Sequence, residues 1–140
     1  MSDEALRTIL SGSDLAVLAT IKQDGRPQLS NVGYTFDAER DVLRVSVTDS
    51  RAKVANLRRD ARATVLIQGD GRWKFAVAEV RAELFPVCTS PDDASVNELV
   101  DIYRTISGEH PEWDEFRQAM INDHRLPLHL HVERLYGMAG

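Results

Sequence analysis

Two Asp-Gly pairs, Asp24-Gly25 and Asp70-Gly71, each stand between runs rich in Val, Leu and Ile. Asp-Gly suits the tight turns whose twist matches that of paired strands, so each pair predicts a β-hairpin. The first joins "DLAVLATIK" (14–22) to "PQLSNVGYTF" (27–36), where Gly33 suits a bulge. The second joins "ARATVLIQG" (61–69) to "RWKFAVAEVRAELF" (72–85), which alternates apolar and polar residues from Trp73 onward. "DAERD" (37–41) turns the chain into a strand at "VLRVSVT" (42–48), and "RLPLHLHVERLYG" (125–137) is the last strand. Hairpin links favour antiparallel neighbours, and closure removes exposed edges. The pattern therefore predicts a mostly β chain whose six strands form an antiparallel barrel.

Helical spacing interrupts the strands in four places. Residues 3–11 carry Leu6, Ile9 and Leu10 on one face, and 51–59 read as a second helix. Pro86 and Pro91 break the strand pattern. Beyond them, 92–107 bring Val96, Leu99, Val100, Tyr103 and Ile106 into helical register, and 112–122 form a short helix packed through Trp113, Phe116 and Met120. No repeat or linker divides the 140 residues, a length that suits a single domain spanning 1–140.

No run approaches the roughly 18 apolar residues of a membrane span, and the acidic, amphipathic start "MSDEALRTIL" is unlike a secretory signal. Cys88 stands alone, so it forms no internal disulfide and fits a reducing cytoplasm. A formal net charge of -5 argues against nucleic acid as the main partner. It also makes any local cluster of cations informative.

Such a cluster occurs in "TDSRAKVANLRRD" (48–60). Ser50 reads as the N-cap, with Arg51, Ala52 and Lys53 as the first helical residues. Helix N-termini carry unpaired N–H groups and partial positive charge, so cations there are misplaced unless an anion joins them. Arg51, Lys53 and the helix N–H groups suit a phosphate or carboxylate, with Asn56 one turn beyond. A solvated helix start chosen for propensity is the competing reading. Arg58 and Arg59 lie in the last turn, where the dipole favours them without a ligand.

Other stretches carry weaker signals. "RPQLSNV" (26–32) places Gln28, Ser30 and Val32 on one strand face and Leu29 and Asn31 on the other. Those amides and hydroxyls suit either the polar edge of a heterocycle or an outer surface. Trp73, Phe75 and Val77 share a face that covers a ring system, builds a dimer contact or joins the core. His129 and His131 share a strand face, followed by Glu133. No neighbouring acidic or cysteine cluster completes a ligand set, so no metal site is assigned. His110 and His124 read as surface or capping residues. The chain has no G-x-S-x-G, P-loop or G-x-G-x-x-G motif. That fits a binding module, or an enzyme whose cofactor does the chemistry.

Four blocks in order, "VLATIKQDGRPQLSNVGYTFD", "RVSVTDSRAKVANLRRDARATVLI", "RWKFAVAE" and "YRTISGEHPEWDEFRQAMINDHR", resemble the pyridoxamine-phosphate-oxidase-like superfamily of flavin and deazaflavin oxidoreductases. More narrowly they resemble its actinobacterial B-group, which uses coenzyme F420. The likeness runs from about residue 13 to the C-terminus. It implies a six-stranded split β-barrel with peripheral short helices, paired as a homodimer with two cofactor grooves at the interface. It implies that Arg51 and Lys53 meet the cofactor phosphate, surrounded by Ser50, Ala52 and Asn56. Gln28, Ser30 and Asn31 would lie near the deazaflavin ring, with Ser46 and Val47 on the neighbouring strand. Trp73, Phe75 and Ala76 would approach from the second subunit.

The resemblance further implies hydride transfer from the reduced deazaflavin to a small unsaturated acceptor, such as a biliverdin-like tetrapyrrole, a quinone or an unsaturated lactone. No residue is assigned as the acid. An FMN-binding oxidase of the same superfamily is the second reading, since FMN also carries one phosphate. A non-enzymatic cofactor carrier or haem-binding protein is the third.

Overall fold

The computed structural model describes residues 3–139. Six strands form a closed barrel: β1 (Leu15–Ile21), β2 (Pro27–Asp37), β3 (Val42–Thr48), β4 (Arg62–Gln68), β5 (Phe75–Leu84) and β6 (Arg125–Met138). Their order around the barrel is β1-β2-β3-β6-β5-β4, and every neighbouring pair is antiparallel. Alternate residues point inward, which is why period-two runs became strands. Leu18, Tyr34, Leu43, Val45, Ile67, Ala76, Leu126, Leu128 and Leu130 fill the interior and are essentially inaccessible.

Helices close the barrel ends. From α1 (Asp3–Ser11), Leu6 and Leu10 enter the core, and the Tyr34 hydroxyl donates to the Leu10 carbonyl at 2.6 Å. Arg7 grips Asp41 through two bonds of 2.9 and 2.6 Å. From α2 (Ala52–Arg59), Val54 and Leu57 seal the barrel.

The predicted strand at 72–85 is shorter than expected and starts at Phe75. Residues 69–74 form a wider loop, closed by the Gly69 N–H donating to the Lys74 carbonyl at 2.8 Å. The Gln68 amide also donates to the Lys74 carbonyl. Trp73 therefore projects from a loop and is 73% exposed.

Between β5 and β6 the chain makes a helical excursion, α3 (Ala94–Ser107) and α4 (Trp113–Asn122). It has its own core of Cys88, Val96, Leu99, Val100, Ile102 and Met120. Asp93 caps α3, accepting from the N–H groups of Val96, Thr89 and Ser90. Burial opposes ionisation of this carboxyl, but the three backbone donors prevail and hold its pKa below the usual value.

Candidate active site

The barrel is split on one side. β2 and β3 pair only where Tyr34–Asp37 face Val42–Val45. Beyond that, residues 27–33 of β2 keep only β1 as a neighbour, and 46–48 of β3 keep only β6. The strands splay, and side chains that would otherwise lie inside the barrel become reachable. The opening is a groove of about 540 Å³. Its walls are Gln28, Ser30, Asn31, Val32 and Gly33 from β2 and Ser46, Val47 and Thr48 from β3. Its end is Arg51, Ala52 and Lys53 at the start of α2, and Arg125 at the start of β6 completes it.

The helix start differs from the sequence reading by one residue. The N-cap is Arg51, not Ser50, and no side chain caps it. Ser50 lies in the preceding turn, is exposed and stays off the groove walls. The first-turn N–H groups of α2 therefore have no protein side chain over them, and two cations flank them. Dipole and charge both favour an anion at this point.

Three cations meet here. Among the described residues, no carboxylate lies within ion-pair distance of Arg51, Lys53 or Arg125, although seven of the arginines form such pairs elsewhere. Burial first, and then the charges of Arg51 and Arg125, hold the Lys53 pKa below its ordinary value. Arg125 reaches Ser46 Oγ at 3.3 Å through one terminal nitrogen, while its buried Nε has no partner among the described residues. An unpaired buried donor of this kind is costly, and Arg44 Nε, away from the groove, is the other described side-chain donor left so.

Asn56 sits behind the groove rather than on its wall. Its amide donates to Gln28 Oε1 at 2.7 Å and to Thr20 Oγ1 at 3.1 Å, and its carbonyl accepts from Arg59 at 3.0 Å. It thus orients Gln28 and ties α2 to the barrel, a supporting position one layer behind the groove wall. Phe75 and Trp73 lie away from this groove within one chain, and the Ala76 side chain is enclosed in the barrel core. Gln28, Ser30, Asn31, Ser46, Val47, Arg51, Ala52 and Lys53 do come together as expected. Arg125 was missed. Its signal was a lone cation opening an otherwise apolar run, "RLPLHL".

A second chamber of about 380 Å³ adjoins the groove and shares Gly33, Ser46 and Arg125 with it. Leu99, Ile102, Tyr103 and Ile106 of α3 and Phe116 and Met120 of α4 wall it. The site therefore has a cationic end, a polar strand edge and an apolar side room. Among the described residues, no carboxyl, imidazole or thiol lines the groove, and Lys53 is its one group with a shifted pKa.

The model of the pyridoxamine 5'-phosphate oxidase family matches residues 2–139. The chain belongs to that family. Within reach of it is the F420H(2)-dependent biliverdin reductase of Mycobacterium tuberculosis, 31% identical over 140 residues, covering 99% of this chain and 89% of that protein. Among solved structures, an F420 reductase superposes with a TM-score of 0.67 at 18% identity, covering 93% of this chain and 94% of that one. HutZ, the haem storage protein of Vibrio cholerae, superposes equally well, with a TM-score of 0.67 at 12% identity and coverage of 96% and 93%. Membership of this family thus sets the split barrel, while similar barrels serve different ligands.

The His129–His131 pair has company that sequence spacing hid. Glu83 of β5 lies directly across from His129 in the β5–β6 register, and Glu98 of α3 contacts His129 Nε2. Glu133, the carboxylate expected to continue the face, instead lies beside Arg81, because a bulge interrupts the strand register there.

Proposed function

We propose that the protein is an F420-dependent reductase that reduces a small unsaturated organic acceptor. The observation that carries this reading is the set of three uncompensated cations, Arg51, Lys53 and Arg125, at one end of a groove with a neutral polar wall. A single phosphate with further carboxylates, as on a deazaflavin tail, matches three cations better than the lone phosphate of FMN. The 31% identical relative that uses reduced F420 supports the same choice.

In this reading the phosphate meets Arg51, Lys53 and the free N–H groups of α2. The splayed edges of β2 and β3 offer unpaired backbone groups, with Gln28, Ser30 and Asn31, to the polar rim of the ring. Bound deazaflavin supplies the hydride. Gln28 is held in place by Asn56, so the ring edge meets a fixed rather than a rotating amide. The acceptor occupies the apolar chamber, where the α3 and α4 side chains exclude water, and Arg125 stands at the junction to steer acidic substituents.

A second copy of the chain completes the site. Asn31 on the groove wall begins a row across the outer barrel face: Asn31 pairs with Val17, Val17 with Leu66, Leu66 with Val77 and Val77 with Tyr136. Leu29, 65% exposed, lies beside this row with Leu15, and Met138 extends it. Val77 in this row is buried and Val17 half-buried, but Leu15, Leu29, Leu66, Tyr136 and Met138 around them are exposed, and a cluster of exposed apolar side chains suits an interface between subunits. The same face presents Phe75, and Trp73 projects nearby from its loop.

The test is titration of the purified protein with oxidised F420 and, separately, with FMN, followed by tryptophan fluorescence. Saturable binding of the deazaflavin at micromolar or lower concentration, with weaker FMN binding, supports the reductase. The reverse order supports a flavin oxidase, and binding of neither removes both readings.

A further inference from the structure

On the outer barrel wall, away from the groove, Glu83, His129 and His131 each present a ligand atom, and the three atoms lie within 4.8 Å of one another. Both histidines already face carboxylates: His131 Nε2 is 2.9 Å from Glu83 Oε1, and His129 Nε2 contacts Glu98 Oε2. We propose that this cluster is a binding site for a divalent transition cation such as Zn²⁺. Imidazole and carboxylate ligands together suit the borderline metals zinc, nickel and copper, and two histidines with one or two carboxylates match the ligand count of zinc sites.

The scaffold is rigid where ligands must be. β6 runs between β3 and β5, and His129 is paired on both sides, with Arg44 and with Glu83. Side chains two apart on such a strand share a face, so both imidazoles point the same way. Phe85 packs against His129 with ring centres 4.4 Å apart and limits its rotation. The nearby cations have their own carboxylates. Arg44 holds Asp101 at 2.9 Å, with Glu98 further off at 3.7 Å, and Arg81 lies 3.8 Å from Glu133. The metal replaces the shared protons of two His–carboxylate contacts. Each imidazole donates its Nε2 lone pair, and any displaced proton leaves to solvent.

Occupancy has a structural consequence. Glu98 belongs to α3, next to Leu99, which walls the apolar chamber. Glu98 lies outside the three-residue group but contacts His129, so a metal that also recruits it clamps that helix to the barrel. The site is independent of the cofactor reading.

The test uses the untagged full chain, stripped with EDTA and titrated with Zn²⁺ by calorimetry. One saturable site per chain is expected. Metal in hundredfold excess over its dissociation constant should raise the melting temperature by roughly 5–10 °C. Joint substitution His129→Ala and His131→Ala should abolish binding, whereas His110→Ala with His124→Ala should leave it intact. Glu83→Gln, on an exposed side chain, should lower affinity at least tenfold. No saturable binding, or binding that survives the His129/His131 double substitution, overturns the site. If that double variant does not fold, unchanged affinity in Glu83→Gln overturns it instead.

Discussion

Lys53 and Arg125 carry the argument at the scale of single residues, and they make different predictions. On the proposed function Lys53→Ala removes one charge-assisted bond to the cofactor phosphate, so F420 binding should weaken by about 1–3 kcal/mol, or roughly 5- to 150-fold. A titration showing unchanged affinity would exclude Lys53 from the site. Its lowered pKa adds a pH signature. An anion beside the ammonium raises that pKa again, so binding takes up a proton once free Lys53 begins to lose its own. Affinity should therefore fall as pH rises through the alkaline range below the ordinary lysine value, and Lys53→Ala should flatten the fall. Without ligand the sign reverses. The unfolded chain holds the lysine proton to higher pH than the folded one, so Lys53 makes stability rise with pH in that window.

Arg125 buries an Nε with no partner. Arg125→Met should therefore leave the melting temperature unchanged or higher while weakening cofactor binding at least tenfold. A variant that loses stability and keeps affinity would make Arg125 a structural residue.

Among the elements, α2 and α3 show contrasting uses of a helix N-terminus. α3 is closed by its own sequence, since Asp93 accepts from Val96, Thr89 and Ser90. Asp93→Ala should cost about 1–2 kcal/mol in urea unfolding at neutral pH. The folded pKa lies below the reference of 3.8, so the carboxylate's contribution is complete above that value and is lost as pH falls below it. The variant should accordingly show a shallower loss of stability under acid. α2 has no side-chain cap at its N-terminus. On the proposed function, the difference separates a helix that only needs to fold from one that keeps donors free for a ligand.

For the whole molecule, the row from Asn31 to Tyr136 links groove and surface. Leu66 lies mid-row, exposed on β4. If a second copy closes the groove as proposed, Leu66→Arg should convert dimers to monomers in analytical ultracentrifugation and weaken F420 binding in the same samples. A protein that is monomeric before the substitution, or a dimeric variant with unchanged affinity, would remove the partner from the site.

Strand and helix positions were legible to within a few residues because hydrophobic period and turn chemistry are local. Both Asp-Gly pairs mark chain reversals, at 24–25 as a tight turn and at 70–71 within a wider loop. The cations of the α2 start were equally readable, since a charge that conflicts with a helix dipole is visible in sequence. The displaced cap, the loop position of Trp73 and the supporting position of Asn56 were not, because each depends on which neighbour completes a hydrogen bond. Ser50 had the right chemistry for a cap but sits one residue too early.

Local order alone thus determined that the chain makes six strands, four helices and a cation-rich turn, because those depend on residues within a few positions of each other. Tertiary structure decided where the barrel splits, and so what the turn faces. It brought Arg125 from 72 positions beyond Lys53 to the same groove and set Glu83 and Glu98 beside His129. Such meetings depend on strand register around a closed barrel, and no short window of sequence holds the information that sets it.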